Sequence, residues 1–166
     1  MKKINNKGFT LIEVLAVIII IAVIGLIAIP NVINTINTGK QSTYHILIKD
    51  ITIAGKQLYE EIEYINPGLN YYDEEGNPIS GKEIKIGEDI NGVNIGTSIK
   101  INLQTLVSNG LLSGNDNRRI INPKTGDNIG QCEISITKND GSYTFMNTST
   151  SDANCPTTIE YTNLSK

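Results

Sequence analysis

The 166-residue chain has room for one modest domain and an extension. Its 17 acidic and 14 basic side chains give a formal charge of −3, which offers nucleic acid no general attraction. A single histidine, His45, and two cysteines with no C-x-x-C argue against a zinc centre and against Ser-His-Asp or Cys-His catalysis.

The charge is unevenly placed. Residues 1–8 hold Lys2, Lys3 and Lys7 and no acid, which leaves 11 basic and 17 acidic side chains, or −6, in the remainder. From Phe9 to Ile29 only Thr10 and Glu13 are polar. As a helix rising about 1.5 Å per residue, this run is roughly 31 Å long, the thickness of a bilayer core. Lysines before it, and none after it until Lys40, place the N-terminus in the cytosol and the rest outside. The run is too long for the apolar region of a cleaved secretory signal, and Pro30-Asn31-Val32 is unlike a small-residue cleavage site. Read this way, the segment is an uncleaved signal-anchor. Glu13 then snorkels to the cytosolic side, at less than the roughly 2.5–3.5 kcal/mol an acid costs at mid-membrane.

The junction carries a second reading. Lys7-Gly8 followed by Phe9-Thr10-Leu11-Ile12-Glu13 closely resembles the class III signal of type IV pilins and their pseudopilin relatives. Pro30 falls where that family has a helix-kinking proline. The likeness covers about residues 1–37. It implies that a membrane aspartyl protease, the prepilin peptidase, cuts after Gly8, N-methylates Phe9 and leaves the apolar run in place. Cleavage creates an ammonium on Phe9, one helical turn from the family's glutamate, Glu13. The two could pair within one chain at i, i+4 spacing, or Glu13 could neutralise the terminus of a neighbour in a growing filament. Only the second sets register between helices, which is the best-attested use of a buried ion pair. The family's tip-capping members often lack this acid, so Glu13 favours a subunit of the filament body.

Pro30, Asn31, Asn34, Asn37 and Gly39 predict a kinked or partly melted stretch near residues 30–40. Helical periodicity resumes with an apolar stripe at Leu47, Ile51, Ala54, Leu58, Ile62 and Ile65, and Asn66-Pro67-Gly68 ends it. Residues 71–78 read as a loop whose acids Asp73, Glu74 and Glu75 are solvated, Glu83–Ile86 as a short strand, and Leu103–Gly110 as a short helix with Gly110 near its C-cap. Cys132–Thr137 and Ser142–Met146 flank Asn139-Asp140-Gly141, the pattern of a hairpin, and Thr157–Thr162 reads as a third strand. Asn115-Asp116-Asn117 and Thr125-Gly126-Asp127-Asn128 fit turns better than calcium loops. The triplets Asn147-Thr148-Ser149 and Asn163-Leu164-Ser165 are weak glycosylation signals in so Asn-rich a chain.

Together these elements predict an α+β fold: a long N-terminal helix, half membrane-spanning and half amphipathic, on a small antiparallel sheet, the pilin "lollipop" in the terms of the resemblance. The divisions are a leader at 1–8, a transmembrane and filament-core helix at 9–29, an amphipathic continuation at 30–65 and a head at 66–166. Cys132 and Cys155 both fall outside the membrane, where a disulfide can form; the resemblance favours the bond, and two buried thiols are the alternative. The functional expectation is a structural subunit of a type IV pilus serving adhesion, surface motility or DNA uptake, with no enzymatic activity and no cofactor. Its implied partners are further copies of itself, alone or with other pilins in a helical filament, the prepilin peptidase, the assembly platform with its ATPase, and the membrane before assembly. Its location is the cytoplasmic membrane before assembly and the cell surface afterwards. The rivals are a pseudopilin of a secretion or competence system and a monomeric signal-anchored binding protein.

Overall fold

The computed structural model describes residues 9–149 and 154–157. In chain order the elements are α1 (Leu11–Tyr64), β1 (Leu69–Tyr72), β2 (Pro78–Ile84), β3 (Ser98–Asn102), α2 (Leu103–Ser108), β4 (Glu133–Asn139) and β5 (Ser142–Asn147). The architecture is α+β, as expected. The chain divides into two compact units, one up to Lys40 and one from Gln41 onward.

The first unit is helical from Leu11 to its end. The melted stretch expected at residues 30–40 does not occur: α1 continues through Pro30 and Gly39. Proline removes one N–H from the ladder but does not dismantle its neighbours. Polar side chains here support the backbone instead of competing with the helix. Asn31 Nδ2 donates to Ile27 O at 3.3 Å, Thr35 Oγ1 to Asn31 O at 2.9 Å and Thr38 Oγ1 to Asn34 O at 2.9 Å. Such back-bonding is one way a Pro-containing apolar helix keeps its polar groups satisfied.

In the second unit, α1 buries Tyr44, Ile48, Ile51, Ala54, Gly55, Leu58, Tyr59 and Ile62. The spacing is helical, and the expected Ile51, Ala54, Leu58 and Ile62 are all on the buried face; the stripe differs from the expected one only at its ends. Ile48 is fully buried, Leu47 only partly, and Ile65 lies beyond the helix and is 78% exposed. One residue is a 100° rotation, so a neighbour can displace a residue from the core face. The helix meets a three-stranded antiparallel sheet ordered β3-β4-β5. Ile99, Ile101, Ile134, Ile136 and Phe145 supply its buried side chains. Contact is closest at Gly55, where an added Cβ would lie 2.7 Å from Phe145 Cε1 and 2.8 Å from Ile136 Cδ1. Lys138, on β4, donates to the Glu63 carboxylate and to Tyr64 Oη, tying the end of α1 to the hairpin. That hydrogen bond holds the Glu63 carboxyl below its ordinary range and raises the Lys138 ammonium.

β4 and β5 form the expected hairpin, with Asn139 opposite Ser142. Asp140 (φ 44°) and Gly141 (φ 81°) both adopt left-handed backbone, the requirement of a type I′ turn. Of residues 71–78, expected as loop, 73–77 are the turn, while Tyr71 and Tyr72 end β1 and Pro78 begins β2; the two strands pair antiparallel in a separate two-stranded sheet. Burial of Tyr71 and the bond from Asn102 Nδ2 to Tyr72 O (2.8 Å) bring this segment into the core. The strand expected at 83–86 is β2, which begins earlier and ends at Ile84. α2 appears where expected. Asn102 Oδ1 caps it by accepting from Thr105 N at 2.9 Å, and Gly110 (φ 76°) follows Asn109 at its C-terminus.

Cys132 and Cys155 are joined by a disulfide, with Cα atoms 5.6 Å apart. Asn122 Nδ2 donates to Asn154 O at 3.1 Å and Asn147 Nδ2 to Pro156 O at 2.8 Å, so the segment around Cys155 is also held by amides. Of the strand expected at 157–162, Thr157 is not in a strand and the remainder lies outside the described residues, as does Asn163-Leu164-Ser165.

Candidate assembly segment

The first unit presents a surface unlike that of an ordinary helix in water. Every large apolar side chain from Phe9 to Ile36 is at least half exposed, with Phe9 at 83%. Among the described residues, α1 is the one helix long and apolar enough to cross a membrane, and its apolar window is uncovered. An apolar patch of this extent marks a surface that lipid or protein covers.

The helix start is built by two side chains. Glu13 Oε2 accepts from Thr10 N at 2.8 Å and from Thr10 Oγ1 at 2.9 Å. Thr10 O accepts from Glu13 N at 3.1 Å, and Thr10 Oγ1 is 3.4 Å from the same nitrogen. This is a capping box: Thr10 is the N-cap, and the acid three residues later folds back onto it. It satisfies N–H groups that the first turn leaves without partners. It also places negative charge at the positive end of the helix dipole. Thr10 is the residue sequence reasoning passed over. Its signal is Thr-x-x-Glu before an apolar run.

Residues 3–29 match the family model described as the prokaryotic N-terminal methylation motif. The chain carries the class III signal of type IV pilins and pseudopilins. No curated protein and no solved structure matches it significantly. The motif implies processing by a prepilin peptidase and entry into a filament. With the uncovered helix, it supports a precursor of the pilin or pseudopilin kind and suggests membrane anchoring before assembly. It points to a structural subunit and not to an enzyme.

The site residues expected from the sequence fall in different places. Gly8 lies outside the described residues. Phe9 is exposed just before the helix, Glu13 is in its first turn, and Pro30 is in its interior. The structure brings Glu13 to Thr10. Cys132 and Cys155 belong to the other unit. His45 is exposed and within 3.2 Å of Gln41 Nε2 on the preceding turn, a local contact. Asn115 Oδ1 accepts from Asn117 N and Arg119 N, and Thr125 Oγ1 from Asp127 N, so these oxygens serve their own turns. No group of three or more His, Cys, Asp or Glu side chains able to hold a metal occurs among the described residues.

Proposed function

We propose that this chain is a structural subunit of a type IV pilus. It is inserted in the membrane, cut between Gly8 and Phe9, methylated on the Phe9 nitrogen, and polymerised through α1. The observation that carries this reading is an uncovered apolar helix with the methylation motif at its start and Glu13 held in its first turn. In the membrane, lipid covers the apolar side chains; in the filament, neighbouring helices do, through close packing and charge pairing.

Glu13 has two roles in succession. Before cleavage it caps α1 on Thr10. After cleavage a new ammonium stands at Phe9, and the preformed carboxylate of an incoming subunit pairs with the ammonium of its neighbour. An acid already held by two hydrogen bonds loses little further freedom on pairing. Helices then slide until unlike charges meet, which fixes their register. The Cys132–Cys155 bond supports the pilus over a pseudopilus, because many pilins close a C-terminal loop in this way. The division of the chain follows: leader at 1–8, filament-core helix at 9–29, continuation at 30–65 and head at 66–166.

The decisive experiment is terminal sequencing and intact mass of the surface form, with electron microscopy using an antibody to the head. The expected result is a chain beginning at methylated Phe9 in long surface filaments. A chain beginning at Met1 and found singly in the membrane overturns the reading. A processed chain confined to short periplasmic or wall-spanning assemblies identifies a pseudopilin instead.

A further inference from the structure

Outside the assembly segment, the second unit has a groove between α1 and β5, lined by Lys49, Thr52, Ile53, Lys56, Tyr143 and Thr144, with a volume of about 530 Å³. Its α1 wall is one stripe. Lys49, Ile53 and Lys56 follow steps of four and three, which place them on one face of the helix. Both lysines are exposed, and Ile53 is 48% exposed between them. Lys56 Nζ lies 3.8 Å from Glu60 Oε1 and 5.5 Å from the centre of the Tyr143 ring, which positions its charge at the groove.

The opposite charge is presented by the β1–β2 turn. Asp73 uses its own carboxylate to fix that turn: Oδ1 accepts from Asn77 N at 2.7 Å and Oδ2 from Asn77 Nδ2 at 3.2 Å. Asp73 N donates to Asn77 O at 3.0 Å, and Gly76 N to Asp73 O at 3.1 Å. The turn therefore holds its shape without Glu74 and Glu75, which stand exposed at its tip.

We infer that the Lys49–Ile53–Lys56 groove of one copy receives the Glu74–Glu75 turn of another, a head-to-head contact additional to the helical core. This rests on the filament reading above. The argument is charge complementarity. The chain beyond its leader carries −6, so copies brought side by side repel unless unlike patches oppose one another. The two lysines are separated by about 10.5 Å along the helix. Adjacent glutamates at a turn tip are closer than that, and four long side chains cover the difference. Ile53 supplies apolar contact between the pairs. A turn ordered beforehand by Asp73 reduces the entropy lost on docking.

The test uses the full chain in cells that assemble it. Lys49→Glu with Lys56→Glu, and separately Glu74→Lys with Glu75→Lys, is expected to lower the filament count about tenfold. Combining all four substitutions is expected to restore it. Because a charge variant could fail for other reasons, a second arm places Ile53→Cys and Glu75→Cys in one chain and oxidises intact filaments. A ladder of covalent oligomers of this chain is expected. Filaments with no ladder, a cross-link to a different protein, or a fourfold variant no better than the doubles overturns the docking and leaves the filament reading standing. A wild-type chain that forms no filaments overturns both.

Discussion

Replacing Gly55 with alanine tests how tightly α1 is seated on the sheet. The new Cβ would stand 2.7 Å from Phe145 Cε1, 2.8 Å from Ile136 Cδ1 and 3.5 Å from Phe145 Cζ. Carbon atoms pack favourably at about 3.5–4.0 Å, so two contacts are too short by most of an ångström. Both neighbours are core side chains, Ile136 fully buried and Phe145 3% exposed. Overpacking of this kind costs about 1–3 kcal/mol. Alanine recovers about 1 kcal/mol of helix propensity over glycine, leaving a net loss of between about zero and 2 kcal/mol. Gly39→Ala separates the two effects, because an added Cβ there meets nothing within 4 Å and only the propensity gain remains. Thermal unfolding of the full chain in detergent, followed by circular dichroism, should place Gly39→Ala at or above wild type and Gly55→Ala below Gly39→Ala by several degrees. A Gly55→Ala chain that melts with or above Gly39→Ala refutes the close seating of helix on sheet.

Glu13→Gln keeps an oxygen for the Thr10 cap but removes the charge; it should insert normally and fail to polymerise, as scored by membrane fractionation and surface filament counts. Thr10→Ala removes the N-cap and should cost the helix start about 1 kcal/mol, visible as faster amide exchange over the first turn. Cys132→Ala with Cys155→Ala removes a cross-link spanning 23 positions and should lower the unfolding free energy by about 3 kcal/mol in denaturant titration. Acid should weaken the head through Glu63. Its carboxyl is held below the ordinary 4.5 by the Lys138 hydrogen bond, so the stabilisation is present above that pH and is lost as pH falls through the lowered folded value. Glu63→Gln should flatten that part of the melting-temperature profile, and an unchanged acid limb would remove Glu63 from the account.

What the sequence made legible was set by local chemistry. The β4–β5 hairpin follows from Asp140-Gly141, where two left-handed residues select the turn. α2 and the end of α1 were readable from Gly110 and Asn66-Pro67-Gly68 for similar reasons. β3 was passed over although Ile99 and Ile101 alternate with Ser98, Lys100 and Asn102; its pairing partner, β4, begins 31 residues beyond its own end, so no hairpin turn marks the pair. The turn at 73–77 was legible from its acids and glycine, but the strand residues at its ends, Tyr71, Tyr72 and Pro78, were not, because burial of Tyr71 and the bond from Asn102 are tertiary. The α1 stripe was legible at Ile51, Ala54, Leu58 and Ile62, but at its N-terminal end Ile48 and Leu47 are both apolar, and only the packing beneath chooses between them. At the helix start Glu13 drew attention through its charge, whereas Thr10 became visible only once hydrogen bonds between them could be seen.

The cross-link between Cys132 and Cys155 decides what a protease could do to this chain. A single backbone cut between those positions yields two polypeptides that remain one covalent object, since sulfur bridges the wound. Asn122, which precedes the loop, also grips the far side of the nick through the carbonyl of Asn154, so the severed tail would still be clasped in place. Damage there would pass unnoticed on a non-reducing gel and surface only when a reductant parted the halves.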